Sequence, residues 1–357
     1  MESTIQIDNH LYSTTEFVEQ CYSEEYHWIK PAQSFVKDWM SGTSIFTIQT
    51  SGSTGIPKKI EIKRAQMIAS AQATIHTLRL PDGLNALLCI NTDYIGGKMM
   101  LLRALLGNWH IELIEPSMDP SKLAISSNYE FAAFVPLQVL AMTKHREGRE
   151  FLNGIDQAII GGAAISEQLQ TEIEQLTCLC YNTYGMTETV SHIALKTLNG
   201  NAKSEWFKVL EGNKIDLDER SCLKIKGAVT DNEWVITNDI VELENNTFKW
   251  ISRADLVANT GGIKVFIEQV ESTIKSLLPT EYKGNILIWK APDEALGEKL
   301  VGVCTDEKII EYISTNRPEI EAQLNKYTFP KEWLATANFH YTESGKLDRQ
   351  KTYENIP

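Results

Sequence analysis

Residues 50–58, Thr50-Ser51-Gly52-Ser53-Thr54-Gly55-Ile56-Pro57-Lys58, gather two glycines, four hydroxyl side chains and a lysine into nine positions behind an apolar, strand-like run. Such a set can hold a phosphate. Glycine lets the backbone come close, N–H groups and hydroxyls donate hydrogen bonds, and the ammonium neutralises charge. The same composition suits a Ser/Gly surface turn, so composition by itself leaves both readings open. The spacing is not the Gly-x4-Gly-Lys-Ser/Thr of P-loop kinases and ATPases, which disfavours that class.

Five more stretches follow. Gly161-Gly162-Ala163-Ala164 comes after the strand-like QAII, where glycine either turns the chain or lets a flat ring approach the backbone. Tyr184-Gly185-Met186-Thr187-Glu188-Thr189 puts an aromatic, a hydroxyl and a carboxylate on one short segment. Then come Thr237-Asn238-Asp239, Ser252-Arg253-Ala254-Asp255 with Gly261-Gly262-Ile263-Lys264, and Ser344-Gly345-Lys346-Leu347-Asp348-Arg349. A lone Thr-Glu-Thr is ordinarily a solvated loop, and a lysine in a polar C-terminal stretch is ordinarily solvated. In this order and approximate spacing, however, the stretches resemble the motif set of the adenylate-forming superfamily of acyl-CoA synthetases, luciferases and peptide-synthetase adenylation domains. Residues 50–58 match its signature phosphate loop at nearly every position.

That resemblance implies ATP, Mg²⁺ and, as co-substrate, CoA. It assigns the ATP phosphates to Thr50, Ser51, Gly52, Ser53, Thr54, Gly55 and Lys58, and the border of adenine and the acyl group to Gly161, Gly162 and Ala163. Tyr184 and Gly185 would flank adenine, Thr187 would contact the α-phosphate, and Glu188 would be the magnesium ligand. Asp239 would hold the ribose hydroxyls, with Asn238 where relatives have glycine; Asn tolerates the same turn conformations. Arg253 would reach ribose or phosphate, Asp255 would be the hinge, and Gly262 would line the pantetheine tunnel, with Ser252 departing from the usual glycine. Lys346 would stabilise charge as the acyl-adenylate forms and then swing away. Thr187, Glu188, Lys58 and Lys346 would thus carry the catalysis.

The stretches FVPLQVLAM, AIIGGAAI and YGMTETVSHIAL are similar to those of the o-succinylbenzoate:CoA ligase branch, from menaquinone biosynthesis. Its acid has a second carboxylate and a ring, which call for a cation or several donors beside apolar walls. Tyr94, Lys98, Arg103, Ser191 and His192 are the candidates for those contacts. Tyr94 stands where many relatives have histidine. Adenylation of an aryl or amino acid for a carrier protein, and a non-catalytic nucleotide-binding relative, are the alternatives.

These motifs need a frame. Up to about residue 180, short apolar runs (SIFTIQT, ALLCI, FAAF, QAIIG) alternate with helix-period segments such as 65–79 and 136–144, the rhythm of a layered α/β sheet. A helix is expected to begin at Gly97. From about Ser191 shorter strand-like pieces (HIALK, CLKIKG, WVITNDIVEL, FKWISR) read as a β-rich subregion. After Asp255 comes a small α+β segment with a helix over 267–278 and strands in NILIW and KLVGVC. The expected fold is therefore α/β: an N-terminal adenylation domain over 1–254 and a small mobile α+β lid over 255–357.

The 357 residues are 43% hydrophobic, enough for a sizeable core. A net charge of −13 argues against a nucleic-acid or anionic-membrane surface. No apolar stretch has the length of a membrane helix and the first residues do not read as a secretion signal, so a cytoplasmic protein is expected. Six scattered cysteines read as free thiols. A homo-oligomer is left open.

Overall fold

The computed structural model describes residues 3–49, 59–126, 128–325, 327–341 and 347–356. Residues 50–58, and with them the expected phosphate loop, lie outside that set, as does Lys346.

Among the described residues, one mixed sheet of 13 strands runs through most of the chain. Its parallel half comprises, in spatial order, Leu179–Gly185, Ile155–Ile160, Tyr129–Phe134, Asn85–Leu88, His110–Leu113 and Thr4–Ile7, with His10–Ser13 antiparallel at the edge. The central strands Tyr129–Phe134 and Asn85–Leu88 are mostly apolar because both faces are covered. In Tyr129–Phe134 the side chains divide by period two. Phe131 and Ala133 join one core with Met67 and Ala71 of the helix Arg64–Leu78 and Met99 of the helix Ile95–Leu106. Ala132 and Phe134 join another with Val139 of Pro136–Met142 and Leu169 of Glu167–Ile173.

At Leu179–Gly185 the sheet changes sense. His192–Thr197 pairs antiparallel with it, and Phe207–Val209, Thr247–Arg253, Val235–Glu244, Cys222–Gly227 and Asn213–Leu217 continue outward. This is the expected β-rich subregion, joined to the α/β part as one sheet. A second sheet begins at Val257–Thr260, includes Ile263–Phe266, Ile286–Asp293, Gly297–Cys304 and Glu332–Ala335, and packs on the helices Ile267–Leu277 and Glu307–Thr315 around its own core.

Two details differ from the sequence reading. Ile45–Gln49 is not in the main sheet but pairs antiparallel with Lys59–Lys63 in a two-stranded hairpin that brackets residues 50–58. The helix expected from Gly97 starts at Ile95, because Tyr94 already takes the extended N-cap conformation. All six cysteines are free, and five are buried. Among the described residues no helix is long and apolar enough to cross a membrane.

Candidate active site

The motif residues collect where the parallel strands end and the sheet changes sense. Strand Ile155–Ile160 stops at Gly161, whose N–H donates to the carbonyl of Phe134 at 3.1 Å. A Cβ on Gly161 would overlap the Thr183 hydroxyl, and Gly162 has φ +88°, so this lip needs both glycines. Ala163 follows, exposed.

Beside it, Leu179–Gly185 delivers Tyr184. The ring lies edge-on to Phe248 at 4.9 Å between centroids and tilted against Phe207 at 5.7 Å. Its hydroxyl donates to Asp239 Oδ2 at 2.6 Å. Burial, with Asp239 nearby, pushes the phenol well above its ordinary range, so it stays a donor. Trp250 Nε1 donates to the other Asp239 oxygen at 3.2 Å. A carboxylate has about four lone-pair sites, so Asp239 retains capacity for two further donors. Arg253 is its cross-strand partner, and the Arg253 guanidinium in turn pairs with Asp255 at 2.9 Å. Strand register thus brings Tyr184, Asp239, Arg253 and Asp255 together.

After Gly185 the chain makes a single 3-10 turn, Thr187–Thr189. The Thr189 hydroxyl accepts from Met186 N at 3.1 Å and lies 2.8 Å from the Ser191 carbonyl. Val190 has φ +66°, which a β-branched residue adopts only under strain. The turn leaves Glu188 exposed, forming no ion pair with another described residue. Among the described residues no group of three His, Cys, Asp or Glu could hold a metal by itself.

The acyl-side candidates divide. Tyr94 is 58% exposed at the N-terminus of Ile95–Leu106. Lys98 turns back to donate to the carbonyls of Thr92 at 2.5 Å and Asp93 at 2.9 Å, and so closes the loop before its own helix. Arg103 is buried at 1% exposure, forms no ion pair with a described residue, and has an Nε without a partner among them. Its Nη2 lies 3.4 Å from the Ser191 hydroxyl. His192 is buried, with both ring nitrogens engaged by Thr74 and Ser191. Close approach of the Ser191–His192 backbone to Gly185, where a Cβ would overlap the Ser191 carbonyl, ties this cluster to the Thr-Glu-Thr turn.

Gly262 sits apart, in an exposed turn with Gly261 at φ +80° and +57°, joining Val257–Thr260 to Ile263–Phe266. Sequence reasoning missed Trp250, Thr183 and Thr74. None of the three had a signal in the sequence: read by period two, residues 250 and 253 fall on opposite faces of their strand.

With fold and site in view, the class of protein is settled: the chain belongs to the AMP-binding enzyme family, whose model matches residues 3–214. The 2-succinylbenzoate–CoA ligase of Staphylococcus aureus strain MSSA476 is 26% identical over 340 residues, covering 85% of this chain and 65% of that protein. The chain thus spans less than two thirds of the length of these curated relatives. A crystal structure from Dyadobacter fermentans, described as an acyl-CoA synthetase (AMP-forming)/AMP-acid ligase II-like protein, is 36% identical, with TM-score 0.66 over 97% of this chain and 99% of that one. The o-succinylbenzoate CoA synthetase of Bacillus subtilis, in complex with ATP and magnesium, shares the fold at TM-score 0.66 and 18% identity over 86% of this chain and 69% of that one.

Proposed function

We propose that the chain is an ATP-dependent acid:CoA ligase acting in two steps, with o-succinylbenzoate as its acid. The observation that carries this reading is Arg103: a buried guanidinium with no carboxylate partner among the described residues needs an anion, and an acid with a second carboxylate supplies one. Family membership and the Tyr184–Asp239–Trp250 cluster support the nucleotide half of the reading.

In the first step a carboxylate oxygen of the acid attacks the α-phosphorus of ATP and pyrophosphate leaves. The sulfur of CoA, its thiol proton released to solvent, then attacks the acyl carbon, and AMP leaves with the electrons of the acyl–oxygen bond. Little acid–base work falls to the protein in the first step, so positioning and charge neutralisation supply the rate. Asp239 accepts from the ribose hydroxyls, Tyr184 presents its ring to adenine beside Gly161, Gly162 and Ala163, and Thr187 donates to the α-phosphate. Thr50–Gly55 and Lys58 cradle the β- and γ-phosphates.

Glu188, one exposed carboxylate, fits Mg²⁺ that arrives on the nucleotide's phosphates and keeps water ligands, rather than a cage of protein groups. Bound there, the ion would neutralise phosphate charge. Lys346 stabilises the charge that develops between carboxylate and α-phosphate. Residues 255–357 act as the lid, with Asp255 as hinge and Gly262 at the thiol's entry; a separate core beginning at Ala258 supports that division.

The test is pyrophosphate release with ATP, Mg²⁺ and o-succinylbenzoate, with and without CoA, against benzoates, fatty acids and amino acids. Turnover with o-succinylbenzoate that requires CoA to continue is expected. Preference for another acid would remove the substrate assignment, and silence with every acid would remove the ligase reading.

A further inference from the structure

The hydroxyl of Thr74, on the helix Arg64–Leu78, lies 3.2 Å from the carbonyl oxygen of Ser70 and 3.0 Å from Nε2 of His192. A carbonyl only accepts, so with the Thr74 proton given to Ser70 its oxygen accepts from the imidazole. Nε2 therefore carries a hydrogen. Burial, and then the charge of Arg103, hold His192 well below its ordinary range, so the ring is neutral and Nδ1 is bare. Nδ1 lies 3.4 Å from the Ser191 hydroxyl, which must give its single proton to it. That leaves the Ser191 lone pairs facing Nη2 of Arg103, also at 3.4 Å. With the Thr74 proton on Ser70 each bond in the chain takes one direction, and the chain joins two helices through a strand of the main sheet.

We propose that His192 is a positioning residue: fixed by Thr74 as the Nε2–H tautomer, it turns the Ser191 hydroxyl to accept from Arg103 and so orients the guanidinium, leaving its unpartnered Nε–H for the acid's second carboxylate. The proposal rests on the reading of Arg103 as the acid's anchor. It gives His192 an indirect part in selectivity, because a neutral ring already bonded on both nitrogens has no donor left for the substrate. Because the ring is neutral, His192 presents no second positive group to the buried Arg103.

Two measurements test it on the full chain. The histidine ¹⁵N–¹H spectrum, with the His192 signals assigned by their loss in His192→Gln, is expected to show a neutral ring protonated on Nε2. The ratio of kcat/KM for o-succinylbenzoate over benzoate is expected to fall about tenfold in His192→Leu, mainly through KM. In His192→Gln, whose amide can accept from Ser191 and donate to Thr74, the ratio should return to within about threefold of wild type. An Nδ1–H tautomer, or a ratio that His192→Leu leaves unchanged, overturns the proposal. Were neither acid turned over by the wild-type chain, the ligase reading would fail, and the tautomer would still decide the relay.

Discussion

Replacing Arg103 with methionine separates what the guanidinium costs the fold from what it gives the site. Burial lowers the group well below the ordinary guanidinium value, to about 9, which corresponds to roughly 5 kcal/mol of unfavourable desolvation of the cation. Methionine fills much of the same volume without a polar group. The variant loses the 3.4 Å contact to Ser191, about 1 kcal/mol, and some packing of the stem, about 2 kcal/mol. Arg103→Met should therefore be more stable than wild type by about 1–3 kcal/mol, seen as a higher urea midpoint at neutral pH.

The pH dependence follows from the direction of the shift. From about 9 up to the ordinary guanidinium value the unfolded chain holds the proton more tightly than the folded one. The destabilisation is thus fully present below about pH 9 and fades as pH rises through that window, so the gap between variant and wild type should close there. Ligand response should move the other way: o-succinylbenzoate should raise the Tm of wild type and leave that of the variant unmoved. A variant destabilised by about 2 kcal/mol or more would mean that the guanidinium is already well paired in the fold, and would refute the reasoning.

Lys346→Ala should lower adenylation by about 10²- to 10³-fold while leaving thioester formation from preformed acyl-adenylate largely intact; equal loss in both half-reactions would remove Lys346 from its role. Asp239→Asn should raise the KM for ATP about tenfold and cost about 1–2 kcal/mol, because Tyr184 and Trp250 donate to separate oxygens and an amide replaces one of these with a donor; initial rates and urea melts check this. Glu271→Gln should cost about 3 kcal/mol by leaving Arg349 without its buried partner. Burial alone would raise the Glu271 carboxyl, but Arg349 and Lys275 outweigh it and hold it below 4.5. Its stabilisation is therefore present above pH 4.5 and lost as pH falls through the folded value, and the variant should lack that acid-dependent loss.

Elements set by a local period could be read from the sequence. The helix expected over 65–79 spans Arg64–Leu78, and FAAF forms the last four residues of the parallel strand Tyr129–Phe134. Partners at a distance could not. SIFTIQT has the same apolar character whether it enters the main sheet or folds back on Lys59–Lys63, and only tertiary structure decides. Tyr184, Asp239 and Arg253 were recognisable because a motif set names them, yet Trp250 joins them through strand register, which a sequence does not display. Lys98 shows a contact the sequence did not display. A lysine near a pocket motif suggests an anion contact, but its stem is long enough to reach the carbonyls of Thr92 and Asp93 just before its own helix. Arg103, one turn and a half further along, has no such escape and stays buried beside Ser191.

The most direct test of the central claim is ATP–pyrophosphate exchange driven by o-succinylbenzoate in the absence of CoA, since exchange requires the acyl-adenylate to form reversibly on the enzyme. The account predicts exchange with o-succinylbenzoate that Arg103→Met abolishes. Exchange supported equally by benzoate, and untouched by that substitution, would contradict it.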